Sequence, residues 1–517
     1  MKKILLTIVV IICFFTSFSQ SPEDVLRYSY HPQQGTARNM SIGGAMGSLG
    51  GDLNALYVNP AGLGLFKTNE FVVSPGLVFN NNKFNFRGTD TASKKSGVNF
   101  GTSGLVIGIN TPGSKWTSKA FSIGISQTAN FNNHVSYRGL NNQSSYSEMF
   151  AEQFANSGLN LDNALNERRF AFGTAPAIYT YLIDTFYINN KYVVKALPEF
   201  LLEKGIALNQ SKTIDTKGGI YDIALGYAAN MDDKLYVGGS IGFPIVNYTR
   251  LTNYKESDAS GNTNNDFDYF ELDDYLTTKG IGINGKLGVI FKPADYLRLG
   301  VALHTPTFYS LTDRQSSDLT VASERYRTAI PVSSVKSGIF TNNQPGETQY
   351  SATTPWKLIA SGSYVFREIN DTRKQRAFIT ADIEYVGYSG SSFGADGNDV
   401  SSEDQTYYNQ MKTVIKDYYK GAVNFRLGGE LKLHTVMFRL GGAYYSNPYK
   451  DTELKSNIMQ ASGGVGYRNH GVFVDLTYVH NINKDVNFPY RIGDKLNTFA
   501  QQTGSRGNLL MTLGFKF

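Results

Sequence analysis

The run Gly238-Gly239-Ser240-Ile241-Gly242 has the G-x-S-x-G spacing of a serine nucleophile, which needs a sharp strand-to-helix turn to lift the hydroxyl clear of its sheet. Here the sequence continues as strand into Phe243, so Ser240 is expected in mid-strand and no catalytic residue is assigned. Gly44, Gly47 and Gly50 imitate a phosphate loop without the preceding strand or the P-loop lysine. The histidines, His31, His134, His304, His434, His470 and His480, include no pair at metal-ligand spacing, so no metal site is expected. Haem ligation by one loop histidine, such as His134, is the alternative. Two acidic runs, Asp266/Asp268/Glu271/Asp273/Asp274 and Asp396/Asp399/Glu403/Asp404, could hold calcium or bridge lipopolysaccharide through cations, although solvated loops need neither. Cys13, the only cysteine, lies in the apolar run of the signal stretch described below, so the mature chain is expected to have no thiol and therefore no disulfide or cysteine-metal site. These residues point away from an enzyme and from any cofactor.

Other charges sit in a stricter pattern. From Val423 to Leu433, Val423, Phe425, Leu427, Leu431 and Leu433 point one way, while Asn424, Arg426, Glu430 and Lys432 point the other. One face suits lipid and the other water. The last strand repeats this with Leu509, Met511, Leu513, Phe515 and Phe517 against Asn508, Thr512 and Lys516. Asp382 and Glu384 on a neighbouring strand could pair with Arg426 across the lumen, as scaffold.

Fourteen stretches read this way: 70–80, 98–110, 118–131, 216–229, 234–251, 276–291, 295–311, 352–368, 376–388, 421–433, 436–448, 456–468, 471–484 and 506–517. The links alternate between short ones, such as Asn230–Asp233 and His434–Thr435, and long ones, 132–215, 252–275, 312–351 and 389–420. In hydrocarbon every backbone N–H and C=O needs a partner, so a sheet of such strands must close on itself. The expected fold is all-β: a transmembrane antiparallel β-barrel in the bacterial outer membrane. The alternative, a soluble β-sandwich, requires neither a secretory start nor loops sorted by length.

Composition agrees. Lys2 and Lys3, the apolar run Ile4–Phe15 and the small-x-small site Ser17-Phe18-Ser19 read as a signal peptide over 1–19 that leaves Gln20 first. No later apolar run is long enough for a spanning helix, and the mean hydropathy is −0.27. Aromatic residues make up 13% of the chain, with 33 Tyr and 33 Phe, as two interfacial belts require. The formal charge of +6 is spread thinly, which argues against a nucleic-acid partner. Terminal Phe517 resembles the ending by which the barrel-insertion machinery recognises its clients.

Residues 20–68 do not alternate and are dense in glycine, which suits a compact hatch within the lumen of a barrel spanning 69–517. The run Gly35-Thr36-Ala37-Arg38-Asn39-Met40, then Gly43-Gly44-Ala45, Asp52, Ala55 and Asn59-Pro60-Ala61-Gly62-Leu63, resembles the amino-terminal hatch of the FadL/TodX family of outer-membrane transporters for hydrophobic compounds. The resemblance extends loosely to the barrel, through the strand count and the stretch from Arg298-Leu299-Gly300 to Pro306. It implies loop capture of a hydrophobic small molecule such as a long-chain fatty acid, a lumen pocket, and passive lateral release into the membrane by a monomer. Asp52, Asn59, Pro60, Ala61 and Gly62 are the implied hatch positions. Gly124, Gln127 and Asn130 mark the implied lateral opening, since that region bends away from its neighbour in the family and Gln127, Thr128 and Asn130 suit lipid poorly. Continuous pairing of Gly124 to Asn130 with both neighbours would remove it.

The insert 132–215 carries two apolar-faced pieces, with Phe150 and Phe154 on one and Ile178, Leu182 and Phe186 on the other. They predict either a groove receiving substrate or a self-packed loop core. Rival readings are an adhesin with a sealed lumen, a haemin receptor, a membrane hydrolase using Ser240, and an ordinary diffusion porin.

Overall fold

The computed structural model describes residue 22 and residues 24–366, 376–397 and 400–517. The signal stretch 1–19 with Cys13, and Asp399 of the second acidic run, lie outside the described residues.

The chain forms a closed antiparallel barrel of fourteen strands, several interrupted in mid-course. They are β1 (Glu70–Val73 and Pro75–Phe86), β2 (Thr89–Phe100 and Ser103–Asn110), β3 (Trp116–Asn130 and Asn133–Asn141), β4 (Leu208–Met231) and β5 (Leu235–Asp258). Next come β6 (Tyr269–Ala294), β7 (Leu297–His304 and Phe308–Ala322), β8 (Gly346–Thr353 and Lys357–Phe366) and β9 (Ala377–Gly387 and Ser392–Ala395). The last five are β10 (Gly421–Leu433), β11 (Val436–Tyr445), β12 (Ile458–Asn469), β13 (Val472–Asn487) and β14 (Ala500–Lys516). Each expected stretch falls on one of them. Closure is made by β1 on β14, from Glu70↔Lys516 and Phe71↔Phe515 to Asn85↔Gln501.

The alternation has the expected sense. On β10, Val423, Phe425 and Leu427 are exposed outward, while Ala422, Asn424 and Arg426 are buried inward. Phe71, Phe121, Leu287, Ile383 and Leu440 continue the same outer belt. Connections at one end are tight: His434-Thr435 and His470-Gly471 need only two residues, with positive φ at His434, His470 and Gly471.

At the other end the strands rise further than expected. Much of 252–275 and 312–351 is strand, and β5 stays paired with β6 as far as Ser257↔Tyr269. Above the belt the sense of the alternation inverts, with Tyr254, Phe270, Leu272 and Leu319 buried and polar residues outward, and the backbone ladder and pairs such as Arg250–Asp274 at 3.0 Å sustain the sheet.

Inside the cylinder lie helices α1 (Asp24–Arg27), α2 (Ala37–Ser41) and α3 (Ala55–Val58) and the 3-10 turn Pro60–Leu65. Wall glycines let this segment approach closely. A Cβ on Gly288 of β6 would fall 1.8 Å from Asn59 Oδ1, and one on Gly238 of β5 would fall 2.6 Å from the Pro60 carbonyl. The insert between β3 and β4 adds α4 (Tyr146–Ser157), α5 (Leu161–Asn166), α6 (Thr174–Tyr179), a separate hairpin and α7 (Leu197–Glu203), and α8 (Ser402–Tyr418) lies between β9 and β10.

Candidate functional site: lumen segment, tyrosine chamber and wall seam

The N-terminal segment is fixed by its own polar side chains. Asp52 accepts from Thr36 Oγ1 at 2.9 Å and from the Asn54 amide at 2.8 Å, which joins the start of α2 to the start of α3. Asn59 Oδ1 accepts from the Ala61 amide at 3.1 Å and sets the turn that Pro60 begins. Its Nδ2 donates to the Gly47 carbonyl at 2.6 Å and to the wall carbonyls of Val289 and Val301. Ala61 packs on Tyr236 and Ile290, and Gly62 lies against Gly50, where a Cβ would meet the Gly50 Cα at 2.8 Å.

Buried charges hold the lumen wall around it. Arg426 lies 3.3 Å from Glu384 and 3.7 Å from Asp382, the expected pairing. Arg439 joins Glu430 at 2.6 Å and Asp475 at 2.5 Å. The amides of Met46 and Gly47 donate to Asp382, so the glycine-rich stretch faces a carboxylate of the wall. Ser240 stands in mid-strand with Oγ donating to the Leu56 carbonyl at 2.9 Å, and no nucleophile elbow is present there. His134 Nδ1 lies 3.2 Å from Asp215, and His304 Nε2 lies 2.8 Å from the Val58 carbonyl. Among the described residues no three His, Cys, Asp or Glu side chains are grouped to hold a metal.

Above the segment lies a packed apolar cluster, built largely of tyrosines and called the tyrosine chamber below for the part of the lumen it fills, that the sequence reading did not single out. Tyr28 donates to or accepts from Tyr350 at 3.1 Å and packs 5.7 Å from Tyr309. Phe131 meets Tyr248 edge-on at 5.2 Å. Helix α8 covers the chamber with Tyr407, Tyr408, Met411 and Ile415. The available signal was weak: Tyr248, Tyr309 and Tyr350 occupy inward positions where polar residues otherwise prevail.

The chamber reaches the wall at Ala129 and Phe131 of β3, and there the sheet is interrupted. The ladder between β2 and β3 runs from Asn110↔Ser118 to Ser103↔Ile125 and stops. Gly124, expected in an opening, is therefore laddered to Gly104 on one side and Ala224 on the other. Ser126 to Asn130 pair with β4 alone, through a bulge between Gln127 and Ala129. Beyond them β3 turns behind the β1–β2 hairpin, with Val135 and Tyr137 packed on Phe84 and Phe86.

The gap is bridged by side chains. Gln127 Oε1 accepts from the Phe100 amide at 3.0 Å, Asn130 Nδ2 donates to the Val98 carbonyl at 2.9 Å, and Asn132 Nδ2 donates to the Ser96 carbonyl at 2.9 Å. Lys95 Nζ reaches Asp215 at 2.6 Å. At the base of the seam Thr102 Oγ1 donates to Asn54 Oδ1 at 2.6 Å and bonds Ser126 Oγ at 3.0 Å, so the lumen segment holds one lip directly and the other through Thr102.

Of the insert residues, Phe150, Phe154, Ile178 and Leu182 are buried together and Phe186 packs on them, with Phe267, Phe270 and Leu319 completing the cluster. The insert thus packs with the tall strands β5 to β7 as one apolar cluster. Burial beside Glu148 pushes the Glu199 carboxyl on α7 up to about 7, against the pull of the Ala196 amide that it accepts.

A closed cylinder, an apolar outer belt and an occupied lumen define a fourteen-strand membrane barrel. No family model matches the chain, and no curated protein matches it in sequence. Solved structures do match. A Pseudomonas aeruginosa FadL homologue aligns with a TM-score of 0.54 at 13% identity, over 94% of this chain and 98% of that one. The P. putida toluene transporter TodX aligns at 0.51 and 13% identity, over 94% and 99%. The protein has the fold of the FadL and TodX transporters.

Proposed function

We propose that this protein is a bacterial outer-membrane channel that passes hydrophobic small molecules, long-chain fatty acids or similar lipophiles, from the outside into the membrane by lateral release. The observation that carries the reading is the seam: the wall lacks its backbone ladder where the apolar chamber reaches it, at Ala129 and Phe131. An apolar solute that parts these packed rings would then need to displace only side-chain amides to meet hydrocarbon, and it would never enter periplasmic water. In this reading residues 20–68 are the hatch, with Asp52 and Asn59 to Gly62 keeping its shape, and Gln127 and Asn130 close the seam. The signal peptide 1–19 directs export, and Phe517 serves the insertion machinery. The tall outer strands face lipopolysaccharide, and the unit is a monomer.

The test uses a geometry already in the wall. A Cβ on Gly97 would lie 3.6 Å from that of Asn132, a separation suited to a disulfide. Oxidised Gly97→Cys/Asn132→Cys protein should lose uptake of a labelled lipophile, and reductant should restore it. Unchanged uptake with the bond formed would sink lateral release through this seam.

A further inference from the structure

The outward face of the wall changes character between β13 and β2. At one level Tyr478 of β13, Leu509 of β14, Leu77 of β1 and Val98 of β2 are laddered in a row, and all four are exposed. That row belongs to the lipid belt. Further from the two-residue turns, Lys484, Thr503, Lys83 and Ala92 form a second row on the same four strands, and Lys94 stands opposite Asn81 just beneath it. The three lysines are exposed on the outer face.

Strand spacing puts the backbones of Lys484 and Lys83 about 10 Å apart with Thr503 between them, and Lys94 about 7–8 Å from Lys83 on the diagonal. Like charges so placed disfavour a sheet unless an anion sits among them. Lys95 beside them is held by Asp215 at 2.6 Å, whereas no carboxylate lies within ion-pair distance of Lys83, Lys94 or Lys484 among the described residues. Asp90, the outward carboxylate next above Ala92, accepts from Asn85 Nδ2 at 2.7 Å. On the far side of the barrel, at β7, outward charges are matched instead, Arg314 with Glu347 at 2.8 Å and Asp318 with Lys336 at 3.7 Å.

We propose that this face binds the phosphorylated sugar headgroup of lipopolysaccharide, a reading that rests on the outer-membrane placement given above. Phosphate oxygens accept from Lys83, Lys94, Lys484 and the Thr503 hydroxyl, and the acyl chains lie on the row from Tyr478 to Val98. Charge selects this occupant: three uncompensated ammonium groups at the outer edge of an apolar band match a lipid with more than one phosphate above its chains. A phospholipid with one phosphate engages fewer of them. Ser96 and Val98, whose carbonyls accept the amides that close the seam, lie on the same strand as Lys94, so the site stands on one lip of the seam.

The experiment is native mass spectrometry of the full chain from non-ionic micelles, titrated with diphosphoryl lipid A, monophosphoryl lipid A, phosphatidylglycerol or inorganic phosphate, beside thermal unfolding in the same mixtures. Diphosphoryl lipid A is expected to bind singly and about ten-fold more tightly than either other lipid, with inorganic phosphate failing to displace it. Each of Lys83→Gln, Lys94→Gln and Lys484→Gln should weaken it about five-fold, and the three together about a hundred-fold. The triple variant should also lose the rise in melting temperature that the lipid gives the wild type. Lys336→Gln, on the far side, should change neither. Unaltered affinity in the triple variant, or equal binding of phosphatidylglycerol, would overturn the site and leave the transport reading in place. Absence of lipophile uptake with lipid A binding intact would support the site and sink the transport reading alone, and recovery of the chain outside the outer membrane would remove both.

Discussion

The carbonyl of Ile42 lies over Gly428 so closely that a Cβ on that glycine would come within 2.2 Å of its oxygen. Gly428 is the ladder partner of Gly441, whose own Cβ would meet the Ile42 backbone at the same distance, so two strands present a flat seat to the lumen segment. Gly428→Val should cost about 1–3 kcal/mol by overpacking and lift the segment off the wall. Thermal unfolding should report the loss, and planar bilayers should show ionic current well above wild type. A silent bilayer with a lowered melting temperature would mean that the segment stays seated.

Asn59 is the residue through which the segment grips the wall, since one amide serves Gly47 and the carbonyls of two strands. Asn59→Ala leaves those groups without their donor and should cost about 1–3 kcal/mol. The barrel should survive, and limited proteolysis should cut within residues 24–66 far faster than in wild type.

Arg439 stands between two buried carboxylates, Glu430 and Asp475. Arg439→Leu leaves Glu430 with Arg38 at 3.6 Å and Asp475 with Arg468 at 3.7 Å, so the cost should lie below the ~3–5 kcal/mol of a fully stranded buried charge. The temperature at which the barrel loses its compact mobility in electrophoresis should fall sharply.

Glu199 supplies a pH dependence outside the membrane. Its folded carboxyl titrates near 7, above the ordinary carboxyl value that it regains on unfolding, so its stabilising effect is complete in acid and fades as pH rises through about 7. Hydrogen exchange over Leu197–Glu203, corrected for intrinsic rates, should be slower at acid than at alkaline pH. Glu199→Gln keeps an acceptor for the Ala196 amide and should flatten the dependence.

The strands were legible because lipid outside and polar groups inside impose opposite demands on alternate residues, as in Val423 to Leu433 and Leu509 to Phe517. Their outer reaches were not legible. Around Asn253, Lys255 and Asp273 water wets the outer face while Tyr254, Phe270 and Leu272 are buried, so the alternation runs opposite to that of the lipid belt. Gln127 and Asn130 could be marked because amides suit hydrocarbon poorly. Gly124 could not be separated from them, because the end of a ladder depends on the partner strand, here at Ser103. The tyrosine chamber stayed hidden for a related reason: one inward tyrosine on a strand looks like scaffold until Tyr28, Tyr248, Tyr309 and Tyr350 converge from four separate parts of the chain.

Asn69 exchanges backbone hydrogen bonds with Phe517 at the foot of the closing ladder, while Pro22 lies beneath the far end of α8. The same chain therefore both fills the cylinder and supplies its first stave. Sealing the cylinder and seating its contents are thus one packing arrangement, and a change at the wall glycines acts on both at once.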